Sequence, residues 1–197
     1  MKVRTAILIS GRGSNMAALV AAAGDPDYPA EIVLVAANRP ESGGLALARE
    51  AGVPTVAIDH RAFPDRAAFD AALDAELVRH GVELVCLAGF MRILTDGFVR
   101  RWEGRLLNIH PSLLPAYRGL DTHARALADG AAEHGCTVHQ VVTELDAGPI
   151  VAQARVPVLP GDTEPSLAAR VLAEEHRLYP RALATVARDL RRAGADG

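Results

Sequence analysis

Lysine is almost missing from this chain: Lys2 is the only one in 197 residues. A lysine at the terminus is poorly placed for catalysis, which removes Schiff-base chemistry and P-loop nucleotide hydrolysis. Cysteine is nearly as scarce. Cys86 sits inside an apolar run and reads as buried filler, and Cys136 begins another such run. The pair offers neither metal-ligand spacing nor a disulfide framework, which suits a reducing cytoplasm. No apolar stretch approaches the roughly 20 residues a membrane helix needs. A basic surplus is also missing. The net charge is −3, the wrong sign for a duplex nucleic-acid binder. The N-terminus runs straight into a short strand pattern with no secretory signal. These absences predict a cytoplasmic protein with no membrane, nucleic-acid or metal partner.

What is present reads as one globular domain. Half of the residues are hydrophobic and 23% are charged, and the length suffices for a proper core. Strand-length apolar runs over 5–9, 32–36, 55–58, 84–88 and 106–109 alternate with helical patterns over 14–23, 43–51 and 66–80. The strand runs are apolar on both faces, the mark of a parallel sheet covered by helices on each side. After residue 135 the pattern changes. Stretches 137–142 and 150–156 alternate more clearly around the turn composition Asp146-Ala147-Gly148-Pro149, which predicts an antiparallel extension. A long helix pattern over 166–190 follows, with Pro180 expected to kink or break it, and 191–197 reads as a frayed tail. The predicted fold is α/β and Rossmann-like: a mostly parallel sheet flanked by helices, with an antiparallel C-terminal extension.

Three loops carry candidate chemistry. In Asn108-Ile109-His110-Pro111, strand alternation puts an amide and an imidazole on the same face, and Pro111 forces the chain to turn there. A site that must hold a negative oxygen and move a proton needs both groups. Ser10-Gly11-Arg12-Gly13-Ser14-Asn15 lies between the first strand and the first helix. A dinucleotide fingerprint would place glycine at Met16 and an acid at Asn38, and a Walker loop would need a lysine, so neither motif is met. Two readings stay open: Gly13, Ser14 and Asn15 cradle a monophosphate at a helix start, or Ser14 simply caps the helix. Phe90-Met91-Arg92-Ile93-Leu94 follows a buried strand and reads either as an apolar wall for a flat ring or as an ordinary packed loop. Asp146 reads as an Asx turn unless it approaches His110, where a carboxylate would orient the imidazole. Among the other histidines, His60, His80 and His134 read as surface residues. His123 and His139 are ambiguous, and His176 lies beside Glu174 and Glu175 on the final helix.

Taken together these segments resemble the glycinamide ribonucleotide transformylases, the folate-dependent formyltransferases of purine biosynthesis. The likeness runs over nearly the whole chain. It is carried by 8–15, by 87–94, by Asn108-Ile109-His110-Pro111-Ser112-Leu113-Leu114-Pro115 and by Glu144-Leu145-Asp146-Ala147-Gly148-Pro149. It implies that the amine of 5-phosphoribosylglycinamide attacks the formyl carbon of 10-formyltetrahydrofolate, a co-substrate, with no metal. It implies a catalytic trio of Asn108, His110 and Asp146. Gly13, Ser14 and Asn15 match the phosphate loop, and Glu175 matches an acid near the glycinamide. Arg66, Met91, Arg92, Ile93, Leu94, Asn108, Val142, Thr143, Glu144, Leu145 and Asp146 match folate-binding positions. The expected domain spans 1–190, with a phosphate-binding half over about 1–100, a folate-binding and catalytic half over about 85–160 and a C-terminal helix over about 163–190. A homodimer is compatible with it. Arg12 occupies a variable slot of the glycine loop, where a guanidinium would add charge near a phosphate.

Three other readings compete. A formyltetrahydrofolate hydrolase would share the trio, but such enzymes usually carry an N-terminal regulatory domain ahead of the catalytic fold. A methionyl-tRNA formyltransferase would add a basic C-terminal RNA-binding domain. A non-catalytic nucleotide sensor could use the same kind of sheet, but it has no need for Asn108, His110 and Asp146 together.

Overall fold

The computed structural model describes residues 1–195, and Asp196 and Gly197 lie outside the described residues. Strands β1 (Val3–Ile9), β2 (Ala30–Ala37), β3 (Thr55–Ala57), β4 (Leu84–Leu87), β5 (Leu106–His110), β6 (Glu133–Gln140) and β7 (Ile150–Pro157) form one sheet in the order β3-β2-β1-β4-β5-β6-β7. The first five in that order pair in parallel, and β6 and β7 join antiparallel. The helices are α1 (Ser14–Ala23), α2 (Gly44–Glu50), α3 (Arg66–Arg79), α4 (Asp96–Arg101), α5 (Thr122–Ala128) and α6 (Glu164–Ala195). A single 3-10 turn at His60–Ala62 precedes α3.

Alternation along each strand divides the core into two layers. Ile7 and Ile9 of β1, Cys86 of β4 and Leu107 and Ile109 of β5 pack with α1, α2 and α6. Ala6, Leu8, Val85, Leu87 and Leu106 pack on the other face with α3 and α4, through Phe69, Leu73, Leu77, Phe98 and Trp102. Both cysteines are buried. Because β1, β4 and β5 run in parallel, the loops after them emerge at one sheet edge, where open α/β sheets hold their ligands.

Several expectations are corrected. Pro180 does not break α6, which runs unbroken from Glu164 to Ala195. The residue removes its own N–H from the helix, while its carbonyl accepts the Tyr28 hydroxyl at 2.6 Å. The supposed tail is the last turn of that helix as far as Ala195. Arg191 ties it to Glu83 at 2.9 Å and to the Lys2 carbonyl. The first strand of the antiparallel pair begins at Glu133, four residues earlier than its alternation suggested, and ends at Gln140. Helices α4 and α5 were not anticipated, since each spans only six or seven residues, too short for a periodic signal. Among the described residues no helix is long and apolar enough to cross a membrane.

Candidate active site

The polar face of β5 and β6 is set by register. Asn108 pairs with His139 and His110 with Thr137, while Ile109, Cys136 and Val138 point into the opposite core layer. Four polar side chains therefore share one patch near the sheet edge where the loops after β1, β4 and β5 emerge. His110 is 6% exposed and His139 2%.

Asp146 reaches this patch from the turn between β6 and β7. Its backbone has φ 50, a left-handed conformation that aspartate tolerates better than most residues. Gly148 presses the same turn against β6, and a Cβ there would come 1.7 Å from the Gln140 carbonyl oxygen. The Asp146 carboxylate lies 3.5 Å from His110 Nδ1 and 3.7 Å from His139 Nε2. It also accepts the Gly119 N–H at 2.9 Å. The carboxylate thus joins distant segments, where the bland alternative was a local Asx turn.

Hydrogen-bond partners fix the two imidazoles. His110 Nε2 lies 2.9 Å from the Tyr117 carbonyl, which can only accept, so Nε2 carries the hydrogen and Nδ1 faces Asp146. His139 Nδ1 lies 2.9 Å from the Gln140 carbonyl, so Nδ1 carries its hydrogen. Burial lowers the His139 pKa below the usual imidazole value, against the opposing pull of the Gln140 carbonyl and of Asp146. Its Nε2 is therefore a lone-pair acceptor for Asn108 Nδ2 at 3.3 Å. One amide hydrogen of Asn108 is held there, and among the described residues the other has no protein acceptor. Strand alternation alone left the direction of His139 open. Its place opposite Asn108 in the β5–β6 register is the signal that resolves it.

The glycine loop forms a second part of the site. Gly13, at φ 76, is the N-cap of α1 with no side-chain cap bond. The bland reading of Ser14 as the cap is overturned: Ser14 is the first helical residue and is exposed. Asn15 donates to Glu175 Oε2 at 2.6 Å, joining α1 to α6. Glu175 is buried, and desolvation raises its pKa although the Asn15 bond opposes the rise.

The loop after β4 supplies an apolar side. Met91 and Ile93 are 70% and 65% exposed, whereas Leu94 is buried. Arg92 turns back over the Phe69 ring at 5.0 Å, and Phe90 stacks with Phe69 at 6.5 Å. Arg66 opens α3 three residues before Phe69 and is exposed. Thr143, Glu144 and Leu145 are exposed on the β6–β7 turn, with Val142 half-buried. Glu144 pairs with Arg118 at 2.8 Å.

Three other histidines, expected at the surface, are covered instead. His134 is buried, with 1% exposure, and meets His123 Nδ1 through its Nε2 at 3.1 Å. The reason is that β6 begins at Glu133, ahead of the alternating stretch, so His134 lies within the strand. His60 is half-buried against the Asn38 carbonyl, with Nδ1 at 2.8 Å, and His80 is half-buried too. Among the described residues no group of side chains has the arrangement to hold a metal ion.

The formyl transferase family model matches residues 3–183. Phosphoribosylglycinamide formyltransferase of Escherichia coli K12 is 47% identical over 174 residues, covering 88% of this chain and 82% of that protein. The trifunctional purine biosynthetic protein adenosine-3 of Bos taurus is 47% identical over all of this chain. The chain spans only 19% of that protein's length. The crystal structure of phosphoribosylglycinamide formyltransferase from Brucella melitensis superimposes with a TM-score of 0.92 at 52% identity, covering 95% of this chain and 96% of that one. A match over most of the chain, in sequence and in fold, leads to one conclusion: this chain belongs to the formyl transferase family, among the phosphoribosylglycinamide formyltransferases.

Proposed function

We propose that this chain transfers the formyl group of 10-formyltetrahydrofolate to the amine of 5-phosphoribosylglycinamide, giving the N-formyl ribonucleotide and tetrahydrofolate. The observation that carries the reading is the meeting of Asn108, His110 and Asp146 around one end of β5. Amine attack on a formamide builds a tetrahedral oxyanion, and fixed donors aimed at it lower the barrier. Asn108 has one amide hydrogen free for that oxygen. His110 Nδ1 is the ring nitrogen not held by a carbonyl, 3.5 Å from Asp146; once protonated it can donate to that oxygen while Nε2 keeps the Tyr117 carbonyl. One such donor is typically worth about 3 kcal/mol of barrier. Asp146 balances the imidazolium as His110 donates, and it stands ready to pass the ammonium proton through water toward the leaving nitrogen.

Binding follows from the other loops. Gly13, Ser14 and Asn15 at the start of α1 suit the ribonucleotide phosphate, and Glu175 suits the glycinamide amine end. Exposed Met91 and Ile93, with Val142 and Leu145 of the β6–β7 turn, suit a flat pterin ring, and Arg66 suits the anionic tail of the folate. The reaction class needs no covalent intermediate.

The test is a folate-product absorbance assay with both substrates. Wild-type protein should turn over. His110→Ala should lose roughly 10²–10⁴-fold in kcat, the usual size of a general acid–base contribution. Equal rates for the two would defeat the reading.

A further inference from the structure

Ser10 stands where three strand ends meet. It follows β1 directly and is 8% exposed. Its hydroxyl has one hydrogen, which goes to Asn38 Oδ1 at 2.6 Å beyond the end of β2. The oxygen's lone pair is then free for the Met91 N–H at 2.8 Å, in the loop beyond β4. His60 does not compete for that side-chain oxygen, because its Nδ1 donates to the Asn38 main-chain carbonyl at 2.8 Å. Asn38, standing where dinucleotide-binding sheets carry an acid, thus has its side-chain oxygen committed to Ser10.

On the glycine-loop side Ser10 is fixed to its neighbours. Its carbonyl accepts the Ser42 hydroxyl at 3.0 Å, and the Gly11 carbonyl accepts the Gly44 N–H at 3.0 Å. A Cβ on Gly13 would come 2.8 Å from Gly44 Cα, so the glycine loop rests on the start of α2 and cannot shift independently. On the other side, the Ser10 N–H holds the Gly89 carbonyl at 3.2 Å. Gly89 has φ 72, a left-handed setting that glycine adopts without a Cβ clash. The Ser10 hydroxyl accepts the Met91 N–H just past that turn.

We propose that Ser10 is a positioning residue coupling the glycine loop to the 90–94 loop, so that the ribonucleotide and the folate each tighten the binding of the other. The inference rests on the function proposed above. A phosphate that orders the glycine loop orders the Ser10 hydroxyl, and with it the backbone of Met91. Linkage makes the effect reciprocal.

Titration calorimetry tests it, with 5-phosphoribosylglycinamide and a folate analogue carrying no transferable formyl group. In wild-type protein, saturation with one ligand should tighten the other by about fivefold or more. In Ser10→Ala that factor should fall toward one. Ser10→Cys keeps the size but accepts weakly and should lie between; it carries the comparison if circular dichroism shows Ser10→Ala unfolded. A merely structural role would weaken both ligands evenly and leave the factor unchanged, which overturns the proposal, as does a wild-type factor of one. Wild-type protein that binds neither ligand would instead sink the proposed function, and the coupling with it.

Discussion

Single residues decide where charge can develop in this site, and each owes its role to a partner outside its own segment. His139 holds one hydrogen of the Asn108 amide because its own Nδ1 is committed to a backbone carbonyl. Replacing it by phenylalanine keeps the bulk and removes the acceptor. The Asn108 amide then loses its orientation, and displacement of about 1 Å in a reacting group can cost on the order of 10²-fold in rate. His139→Phe should therefore lower kcat by about 10–100-fold with little change in either KM, which steady-state kinetics would show. A rise in KM at constant kcat would place His139 in binding instead. Arg12 invites the opposite pattern. It is exposed between Gly11 and Gly13, beside the proposed phosphate position. Arg12→Ala should raise the ribonucleotide KM several-fold, a typical loss for one exposed charge-assisted contact, and leave kcat alone. An unchanged KM rejects that contact.

At the scale of elements, the turn between β6 and β7 shows what sequence could and could not supply. Asp146-Ala147-Gly148-Pro149 was legible as a turn from composition. That Asp146 points into the site was not, because nothing local links it to His110 or Gly119, 36 and 27 positions away. The strand cores were readable for the reverse reason: β-strands buried on both faces are uninterrupted apolar runs, visible without tertiary knowledge. Asn108 and His110 on one face also followed from alternation, whereas the pairing of β5 with β6 rests on long-range register. Short α4 and α5 escaped, and Pro180 misled. A proline's local cost is overridden where the helix on both sides is anchored, here by Tyr179, whose hydroxyl donates to the Leu87 carbonyl at 3.0 Å, and by buried Ala182 and Leu183 after it. Gly148→Ala tests how rigidly the turn is seated. A Cβ 1.7 Å from a backbone oxygen forces the β6–β7 end apart, so urea unfolding should show a loss of about 2–4 kcal/mol together with a fall in activity. Near-native stability would mean that the turn yields easily.

Across the whole molecule, burial of histidines ties stability to pH. His134 lies in β6 with 1% exposure, and its pKa is pushed down to about 4, first by desolvation and then by His123 and His110 nearby. In the unfolded chain an imidazole titrates near 6.5. Between those values the unfolded chain takes up a proton that the folded chain refuses. Stability should therefore be level above about pH 7 and fall as the pH drops from 6.5 toward 4, by about 3 kcal/mol for this residue at one proton of slope. His139 and His123, both lowered chiefly by burial, act in the same direction. Glu175 opposes them: its raised pKa means that the folded state gains relative stability as the carboxylate is protonated, beginning above its ordinary value of 4.5. Asp162, held low first by its bond from Arg170, adds a loss only below pH 4. The histidine effect should dominate between pH 6.5 and 5, since three groups act there against one. Urea unfolding at pH 8, 6 and 5 would measure it for wild-type protein and for His134→Gln, which cannot titrate. The variant should start less stable at pH 8 yet lose less on acidification, and identical slopes would show that His134 is not the group responsible.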